Sequence, residues 1–593
     1  MIGTNGGPDS SVIDERLTGH RRGLQIVHSW GGNATPLATI SWIALSLLVV
    51  VPLITLIVSS FKESGLPSGV GFTFKNYVEV YTDPTVYSVL FTTLIFGVGS
   101  TLIAIVVGAT LGFLVERTDM PHAKLLGKLA LVPLAIPSII LAASSTLVLS
   151  PEIGLINSLG RSIGLDITWT TYSLVGMIVV QGVHMVPLSY LLLLPSFRAM
   201  DPSLEEAARV SGASTFRVFR HILIPLVKPA LLGVGTFSLI IGLLAFDTPG
   251  ILGMPRGIYT LGSSIFLYAH PPAGLPRYGE VSALTSSLLI FLFLLAWYYQ
   301  RQTRHAEKFV TVTGKSTAAR RFPLGQGRHF AAGAIWVYVF LTSVLPFVAL
   351  ILASFMPFYG KFSTNLISEF TLNNYEALVA SPEFVLGSID SLVVAIVTAS
   401  VVAVLAILVS WVVVRSRTQS ARALDSLAIA PVAIPGIVMG VVLIFLFLTV
   451  RFIPIYGTIW VIVIGSIIIS LPFATRVFSS ALLQIDRELE EAGRTSGAGT
   501  IRALLRITAP LLRPATVVVW VWSATFVLRE LALPLMVQSG RNPMFVTVLW
   551  GYWDAGQFNV AAAGSVVLIS VLLVGIVVWM IAEERIQKGI ESK

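Results

Sequence analysis

Cysteine is absent from this chain of 593 residues. The absence excludes disulfide bonds, thiolate metal sites and cysteine nucleophiles, and it gives no indication of the redox compartment. Charged residues are scarce too: they make up 12% of the chain, about half of the share that is usual in soluble domains, whereas 55% of the residues are hydrophobic. Since apolar runs of about 18 or more residues recur along the chain, this composition predicts a membrane protein with many spans.

Several functional classes lack their motifs. The chain contains no H-E-x-x-H metalloprotease motif and no G-x-S-x-G nucleophile elbow, so an intramembrane enzyme is not favoured. The string TGKS at Thr313–Ser316 resembles the end of a phosphate-binding loop, but Phe309 stands where that loop requires its first glycine. ATP hydrolysis would therefore need a separate polypeptide. The net charge of +9 comes from basic residues spread between apolar segments, which is typical of membrane topology and not of nucleic-acid binding.

The apolar runs predict an all-α polytopic membrane protein with about twelve transmembrane helices in two halves of six. The first run, of about 25 residues, is too long for the core of a cleaved signal, so we interpret it as a retained span. Tails at 1–36 and 583–593 and a basic linker at Gln300–His329 flank the halves. The predicted spans are Leu37–Phe61, Val86–Val115, Leu125–Leu149, Tyr172–Leu194, Leu226–Leu244 and Val281–Tyr299 in the first half (37–299), and Phe330–Phe355, Leu386–Val414, Leu424–Val450, Ile455–Phe473, Ala515–Met536 and Ala561–Ile581 in the second half (330–582).

The distribution of the 39 Lys and Arg residues predicts the orientation in the membrane. Most of them lie on the side that holds both termini and the linker, and basic residues favour the cytoplasmic side. The sequence therefore predicts a multi-pass protein of the cytoplasmic (inner) membrane with both termini in the cytoplasm.

Short strings recur in both halves in the same order. FKNY at Phe74–Tyr77 matches LNNY at Leu372–Tyr375, and PLAIPS at Pro133–Ser138 matches PVAIPG at Pro431–Gly436. Because each half has an even number of spans, the two copies enter the membrane from the same side, which predicts a parallel repeat about an axis along the membrane normal. The prolines of the second pair of strings are expected to bend the third span of each half: Pro133, Pro137, Pro431 and Pro435.

A polar stretch occurs once in each half, as EEAARVSGAS at Glu205–Ser214 and as EEAGRTSGAG at Glu490–Gly499. Glutamates in a first helical turn suit the helix dipole, and Gly212 and Gly497 can end each helix with a positive φ. A second, basic segment follows each glycine, so each copy predicts a helix–turn–helix hairpin outside the membrane. One copy could be an ordinary polar connector, but two copies with matching spacing indicate a surface that docks on a twofold partner.

The spacing E-A-A, three residues, G, nine residues, I-x-L-P is similar to the signature of the membrane permeases of binding-protein-dependent ABC importers. Both copies keep the glutamate, the glycine and the final proline, and the second copy departs at Gly493 and Ala509. The resemblance covers both halves and implies the type I ABC importer permease fold. Together with the glutamate that precedes each motif, the residues to which it assigns ATPase coupling are Glu205, Glu206, Ala207, Ala208, Gly212, Pro225, Glu490, Glu491, Ala492, Gly493, Gly497 and Pro510.

In that family this segment is the coupling helix, which sits in a cleft of the ATPase subunit and transmits its closure to the spans. The resemblance therefore implies coupling segments at 201–225 and 486–510, two copies of a cytoplasmic ABC ATPase that carry ATP and Mg, and an extracytoplasmic substrate-binding protein. It implies no cofactor bound by this chain and no nucleic-acid partner.

The fused pair of halves is like the permeases of ferric-iron and thiamine importers. The strings around FDTPGILGMPRGIYTL (Phe246–Leu261) and LRELALPLMV (Leu528–Val537) look more like the ferric-iron type. Ferric iron is therefore the expected solute. Thiamine, aminoethylphosphonate or another small polar solute is the alternative within the same class.

Charged and polar residues inside the predicted spans are candidates for the translocation path or its gate, because burying them in a membrane is costly. Helix rise from the inner ends of the spans places three of them, Asp247, Arg529 and Glu530, toward the outer side. His184 lies within a span, with Gln181 one turn earlier on the same face. The alternatives are a structural ion pair for the three charges and ordinary packing for the histidine. No dense group of ligand residues in the spans predicts a metal cage.

An ion-coupled secondary transporter is the main alternative to an importer, since it also often has twelve spans and a parallel repeat. Such a transporter usually carries its coupling carboxylates near the middle of the bilayer. Here the span charges are predicted toward the outer side, and the duplicated polar stretch is predicted to be cytoplasmic. The sequence thus favours the importer.

Overall fold

The computed structural model describes residues 35–152, 154–164, 168–198, 207–208, 210–212, 214–306, 322–360, 368–416, 418–450 and 453–591. These residues form helices, and among them the one β pairing is an isolated bridge between Thr118 and Phe322. Within the described part, nine helices are long and apolar enough to cross a membrane, or up to twelve if each of three sharply bent pairs is one span. The predicted all-α polytopic fold is confirmed.

In the first half, long helices occupy the predicted apolar runs and shorter helices connect them. In chain order they are α1 (Pro36–Ser60), α2 (Lys75–Thr82), α3 (Pro84–Arg117), α4 (Ala123–Leu129), α5 (Ser138–Leu149), α6 (Leu155–Ser162), α7 (Leu174–Arg198), α8 (Arg220–Leu244), α9 (Leu261–Ala269) and α10 (Tyr278–Ala306).

The second half follows a similar order. Among the described residues, the second half has a short helix after its fifth span, where the first half has a π-helical stretch at Pro249–Gly253. The helices are α11 (Gly327–Phe355), α12 (Asn373–Ala380), α13 (Pro382–Ser416), α14 (Gln419–Ile429), α15 (Gly436–Thr449), α16 (Ile459–Gln484), α17 (Arg487–Thr495), α18 (Thr500–Leu511), α19 (Arg513–Arg529), α20 (Ala532–Val537), α21 (Phe545–Asp554) and α22 (Phe558–Glu591).

The third predicted span of each half is a sharply bent pair of helices and not one continuous helix. The bend between α4 and α5 is 100°, and the bend between α14 and α15 is 107°. Pro133 and Pro137 lie at the first bend, and Pro431 and Pro435 lie at the second. Proline has no N–H to donate to the preceding helical turn, so two prolines four residues apart end the helix and restart it in a new direction. The predicted bending is confirmed, and the expectation of continuous spans is corrected.

The fifth span of the second half ends earlier than predicted. We expected Ala515–Met536, but α19 ends one residue before Glu530, which has extended backbone (φ −77°, ψ 122°). Pro534 explains this break, because it has no N–H to bond the Glu530 carbonyl four residues earlier. The first half has the same arrangement: α8 ends before Ala245, which is also extended (φ −61°, ψ 130°), and Pro249 follows four residues later.

The repeated Asn-Tyr pair explains why FKNY and LNNY recur. Asn76 on α2 donates hydrogen bonds to the carbonyls of Ser60 and Lys62, at 3.0 and 2.7 Å. Asn374 on α12 donates in the same way to the carbonyls of Ser354 and Met356, at 2.9 and 2.8 Å. Each asparagine thus bonds carbonyls at the end of the first span of its half, where a helix leaves its last carbonyls without an intrahelical partner. The two strings are structural caps.

The first span of each half packs against the bent pair of the other half. The second part of α1 contacts α15, and the second part of α11 contacts α5. Two side chains mark these contacts: Trp42 Nε1 donates to Ser420 Oγ at 2.9 Å, and Tyr359 OH donates to the Leu147 carbonyl at 3.1 Å. One hydrophobic cluster contains buried residues of both halves. This reciprocal exchange joins the two halves in one body.

Candidate functional site

The second polar stretch forms the predicted hairpin. The Asp486 carboxylate caps α17 by accepting a hydrogen bond from the Glu488 backbone N–H at 3.2 Å. After α17, Gly497 adopts the left-handed backbone (φ +87°), and its N–H donates to the Arg494 carbonyl at 2.9 Å. The chain then reverses into α18. The helix–turn–helix prediction is confirmed for this copy.

One face of α17 is exposed to solvent. Glu491 and Ala492 are exposed there, together with Glu488 and Leu489, whose side chain is 49% exposed. Carboxylates beside an apolar and a small side chain can contact a partner that offers both basic and apolar groups. The ATPase-coupling roles of Glu491 and Ala492 stay predictions, and both residues are available to a docked partner.

Glu490 lies in a different environment from its neighbour Glu491, because successive helical residues point about 100° apart. Its side chain is 2% exposed and faces the transmembrane helices. Glu490 Oε1 accepts hydrogen bonds from Arg415 Nε at 3.1 Å and from Thr508 Oγ1 at 2.9 Å. Glu490 Oε2 accepts one from Trp411 Nε1 at 3.3 Å. A buried carboxylate is tolerated when it is paired and hydrogen-bonded, so Glu490 ties α17 to α13 and α18.

Gly493 lies at the contact between the two arms of this hairpin. A methyl group at this position would collide with Ile507 Cδ1. Glycine therefore allows α17 to approach α18 closely. The departure of the second copy from the E-A-A pattern is a packing feature between the arms and leaves the exposed face unchanged.

The first hairpin is described in part. Glu205 and Glu206 lie outside the described residues, so their predicted roles stay predictions. Ala207 is exposed and Ala208 is half-buried. Gly212 has a φ of +80°, in agreement with the corresponding glycine of the second hairpin.

Both hairpins enter their fifth spans through the same irregular segment. A π-helical stretch occupies Phe219–Leu223 in the first half and Leu504–Thr508 in the second. The motif prolines, Pro225 and Pro510, follow within two residues, where each begins a new α-helical segment. This match between the halves supports the parallel repeat.

The four residues predicted for the translocation path lie together, although they come from both halves. Arg529, at the end of α19, lies within electrostatic range of Asp247 and Glu530. His184 on α7 is in range of the same guanidinium. Arg529 Nη1 also donates a hydrogen bond at 2.6 Å to the Leu134 carbonyl, in the α4–α5 bend of the first half. The structure thus assembles one charged cluster from residues of both halves, which we call the central cluster.

Each bent pair contacts one carboxylate of the central cluster. Ser138, the first residue of α5, donates a hydrogen bond to Asp247 Oδ2. Gly436 occupies the corresponding position of α15 and lies so close to Glu530 Oε1 that a side chain there would collide with it. Glu530 also accepts a hydrogen bond from the Leu533 backbone N–H at 3.3 Å. The proline bends and the breaks of the fifth spans therefore form one site between the halves.

The two polar residues of α7 have different surroundings. Gln181 Oε1 accepts a hydrogen bond from Thr248 Oγ1 at 2.7 Å, which fastens α7 to the segment that follows α8. His184 Nδ1 is buried and has no hydrogen-bond partner among the described residues. Gln181 is therefore a structural contact, and His184 is the member of the pair that belongs to the central cluster.

The central cluster can hold a cation only weakly. Asp247, Arg529 and Glu530 are half-buried. Carboxylate oxygens suit hard cations, but the guanidinium already balances them. In the described part of the chain, no group of three or more His, Cys, Asp and Glu residues could hold a metal ion. The TGKS string lies outside the described residues.

Sequence analysis missed three residues of the Glu490 site: Trp411, Arg415 and Thr508. A signal for one of them was present in the repeat. Arg415 ends α13 as Arg117 ends α3, and these arginines are only 4% and 6% exposed. Buried arginines are rare unless they are paired, so two arginines at matching helix ends indicate a duplicated ion-pair position.

Comparison with known proteins agrees with this architecture. A family described as "Binding-protein-dependent transport system inner membrane component" matches residues 105–308 and 403–592. The chain is 27% identical to the ferric transport system permease protein FbpB of Actinobacillus pleuropneumoniae, over 82% of this chain and 70% of that protein. It is 25% identical to the probable ABC transporter permease protein y4fN of Sinorhizobium fredii, over 95% and 98% of the two chains. It is 28% identical to the putative ferric transport system permease protein FbpB 1 of Haemophilus influenzae, over 66% and 61%.

The two family matches fall one in each half and together cover more than half of the chain. They decide between the two transporter classes that the sequence left open, in favour of the importer. These relatives are described as permeases. This chain therefore belongs to the family of binding-protein-dependent transport system inner membrane components, the multi-pass membrane permeases of ABC importers.

Proposed function

We propose that this permease imports ferric iron, which an extracytoplasmic binding protein delivers and which two copies of a separate cytoplasmic ATPase drive across the membrane. The observation that carries the choice of solute is the similarity to two ferric transport permeases, which in one case extends over 82% of this chain. Thiamine and aminoethylphosphonate remain the alternatives for the same architecture.

The central cluster supports a small charged solute. Its two carboxylates, Asp247 and Glu530, offer oxygen ligands that suit a hard trivalent cation, and Arg529 limits how tightly they hold it. A path that binds its solute weakly releases it quickly, while the binding protein supplies the affinity.

The duplicated hairpins support the ATPase partner. The exposed face around Glu491 contains acidic, apolar and small residues, and Glu490 fixes that face to the transmembrane helices. We propose that these hairpins and both termini lie in the cytoplasm, where ATP is available. Closure of the ATPase pair would move both hairpins, and through α13 and α18 it would move the central cluster.

The solute can be identified with the purified permease–ATPase complex in lipid nanodiscs. The binding protein is added without ligand or loaded with Fe³⁺, thiamine or 2-aminoethylphosphonate, and the rate of ATP hydrolysis is measured. We expect stimulation by the Fe³⁺-loaded protein alone, because a loaded binding protein engages the outer side of the permease. Stimulation by one of the other two ligands, with no response to iron, would overturn the iron assignment and leave the importer class intact.

A further inference from the structure

The Glu490 carboxylate is held by donors from two different helices. Trp411 and Arg415 come from the last turns of α13, and Thr508 comes from α18, the second arm of the hairpin. All four side chains are buried or nearly so, and hydrogen bonds to a charged group are strong in such surroundings. These contacts link α17 to α13 and to α18, which leads into the fifth span.

The first half does not contain the same set of donors. Arg117 matches Arg415, and it is also buried. Phe113, however, occupies the position of Trp411, one turn before the arginine, and Leu223 occupies the position of Thr508, at the end of the π-helical stretch. Neither side chain can donate a hydrogen bond. At these two matching positions the first half therefore has no side-chain donor.

In the first half, Phe113 makes an apolar contact with the end of the linker. Its ring lies 5.9 Å from the ring of Phe322, which is 6% exposed. The Phe322 backbone N–H donates to the Arg117 carbonyl at 2.7 Å, and its carbonyl accepts from the Asp119 N–H at 3.1 Å. The Asp119 carboxylate in turn accepts from the Leu324 N–H at 2.8 Å. The residue at the position of Trp411 thus packs against the end of the linker in the first half.

We propose that Trp411 and Thr508 are positioning residues that hold the second coupling hairpin more firmly than the first, so that ATPase closure is transmitted more tightly through the second half. This inference rests on the proposed docking of the ATPase at both hairpins. Two identical ATPase subunits would then act on a permease whose halves respond unequally.

The difference in rigidity can be measured on the permease alone. The chain has no cysteine, so single cysteines can be spin-labelled without background. Ser211 and Ser496 are matched sites. Both are exposed, and each hydroxyl donates at 2.9 Å to the carbonyl four residues earlier, that of Ala207 or of Ala492. We expect the label of Ser496→Cys to be less mobile in its electron spin resonance spectrum than the label of Ser211→Cys. Adding Trp411→Phe and Thr508→Val should raise the mobility at 496 and leave that at 211 unchanged.

Equal mobility at the two sites, or no response at 496 to the two substitutions, would overturn the inference. Thr508→Ser is the matched control, because it keeps the hydroxyl and should keep the label immobile. Thr508→Val by itself preserves the side-chain volume, so it keeps the test open if the double variant does not fold. These measurements need no ATPase, and their outcome is therefore separate from that of the proposed function.

The effect of Trp411 and Thr508 on coupling is measured as the amount of solute imported per ATP hydrolysed. The Fe³⁺-loaded binding protein is the probe. We expect Trp411→Phe with Thr508→Val to lower this ratio by about threefold to tenfold while the ATPase stays bound. The control variant Thr508→Ser keeps the hydroxyl, so its ratio of imported solute to hydrolysed ATP should equal that of the unmodified protein. An unchanged ratio with normal ATPase binding would contradict the inference, whereas failure of the unmodified permease to bind the ATPase would contradict the proposed function instead.

Discussion

Replacing Glu206 and Glu491 together with lysine should abolish association of the permease with its ATPase. Glu491 is exposed on the free face of α17, and Glu206 is its counterpart in the first motif. A lysine at each position would place like charges against a surface that suits carboxylates, and unfavourable charge pairs across an interface cost several kcal/mol. Co-purification from detergent with a tagged ATPase subunit measures the effect.

A matched control separates charge from location. Glu383→Lys makes the same change at an exposed acidic residue near the start of α13, at the opposite end of that helix from Arg415. This variant should bind the ATPase normally. Retention of the ATPase by the double variant would show that the exposed faces of the hairpins are not the docking surface.

Replacing Arg529 with alanine should reduce iron uptake by at least about tenfold. The substitution removes the hydrogen bond to the Leu134 carbonyl that joins the halves, and it leaves Asp247 and Glu530 without their cation. Without the guanidinium the two carboxylates repel each other, so the central cluster should rearrange. Uptake of radioactive iron into proteoliposomes, together with ATP hydrolysis in the presence and absence of loaded binding protein, measures the result.

Arg529→Lys is the informative companion variant. It keeps the positive charge between the two carboxylates but loses the planar guanidinium. We expect it to recover part of the uptake and to remain below the unmodified protein. Normal uptake and normal stimulation by the binding protein in Arg529→Ala would instead assign this arginine to packing between helices.

The sequence predicts the helices of this fold well, because their signals are local. Apolar runs set the spans, and paired prolines set the bends, as at Pro133 and Pro137. The hairpin of the second half also follows from nearby residues: an acidic cap at Asp486 and a glycine at 497 that adopts a positive φ. Such features depend on a few neighbouring residues and on backbone hydrogen bonding.

The break before α20 is a place where hydropathy and backbone hydrogen bonding indicate different structures. Hydropathy continues through Glu530 to Met536, so an apolar window predicts one span. Pro534 interrupts the helical hydrogen bonds regardless of hydropathy, and the break places Glu530 beside Gly436 of the bent pair. The proline was a usable signal, and its counterpart Pro249 in the first half would have strengthened it.

The division of roles between Glu490 and Glu491 could not be predicted from the motif. Both glutamates lie in the first turns of one short helix, and the choice of which is buried depends on the helix that α17 packs against. Arg415 and Trp411 lie about 75 to 79 positions earlier in the chain, so their contact with Glu490 is a tertiary feature. The convergence of His184 and Asp247 on Arg529 is likewise set by the packing of the halves.

We propose that the two hairpins are two docking sites for one kind of ATPase subunit. Native mass spectrometry of the permease purified with a hydrolysis-deficient ATPase and Mg-ATP tests it most directly, since the mass of the complex gives the number of bound subunits. We expect two ATPase subunits for each unmodified permease chain, and one ATPase subunit for each chain of the Glu491→Lys variant. A complex that holds a single subunit, or none, would contradict it.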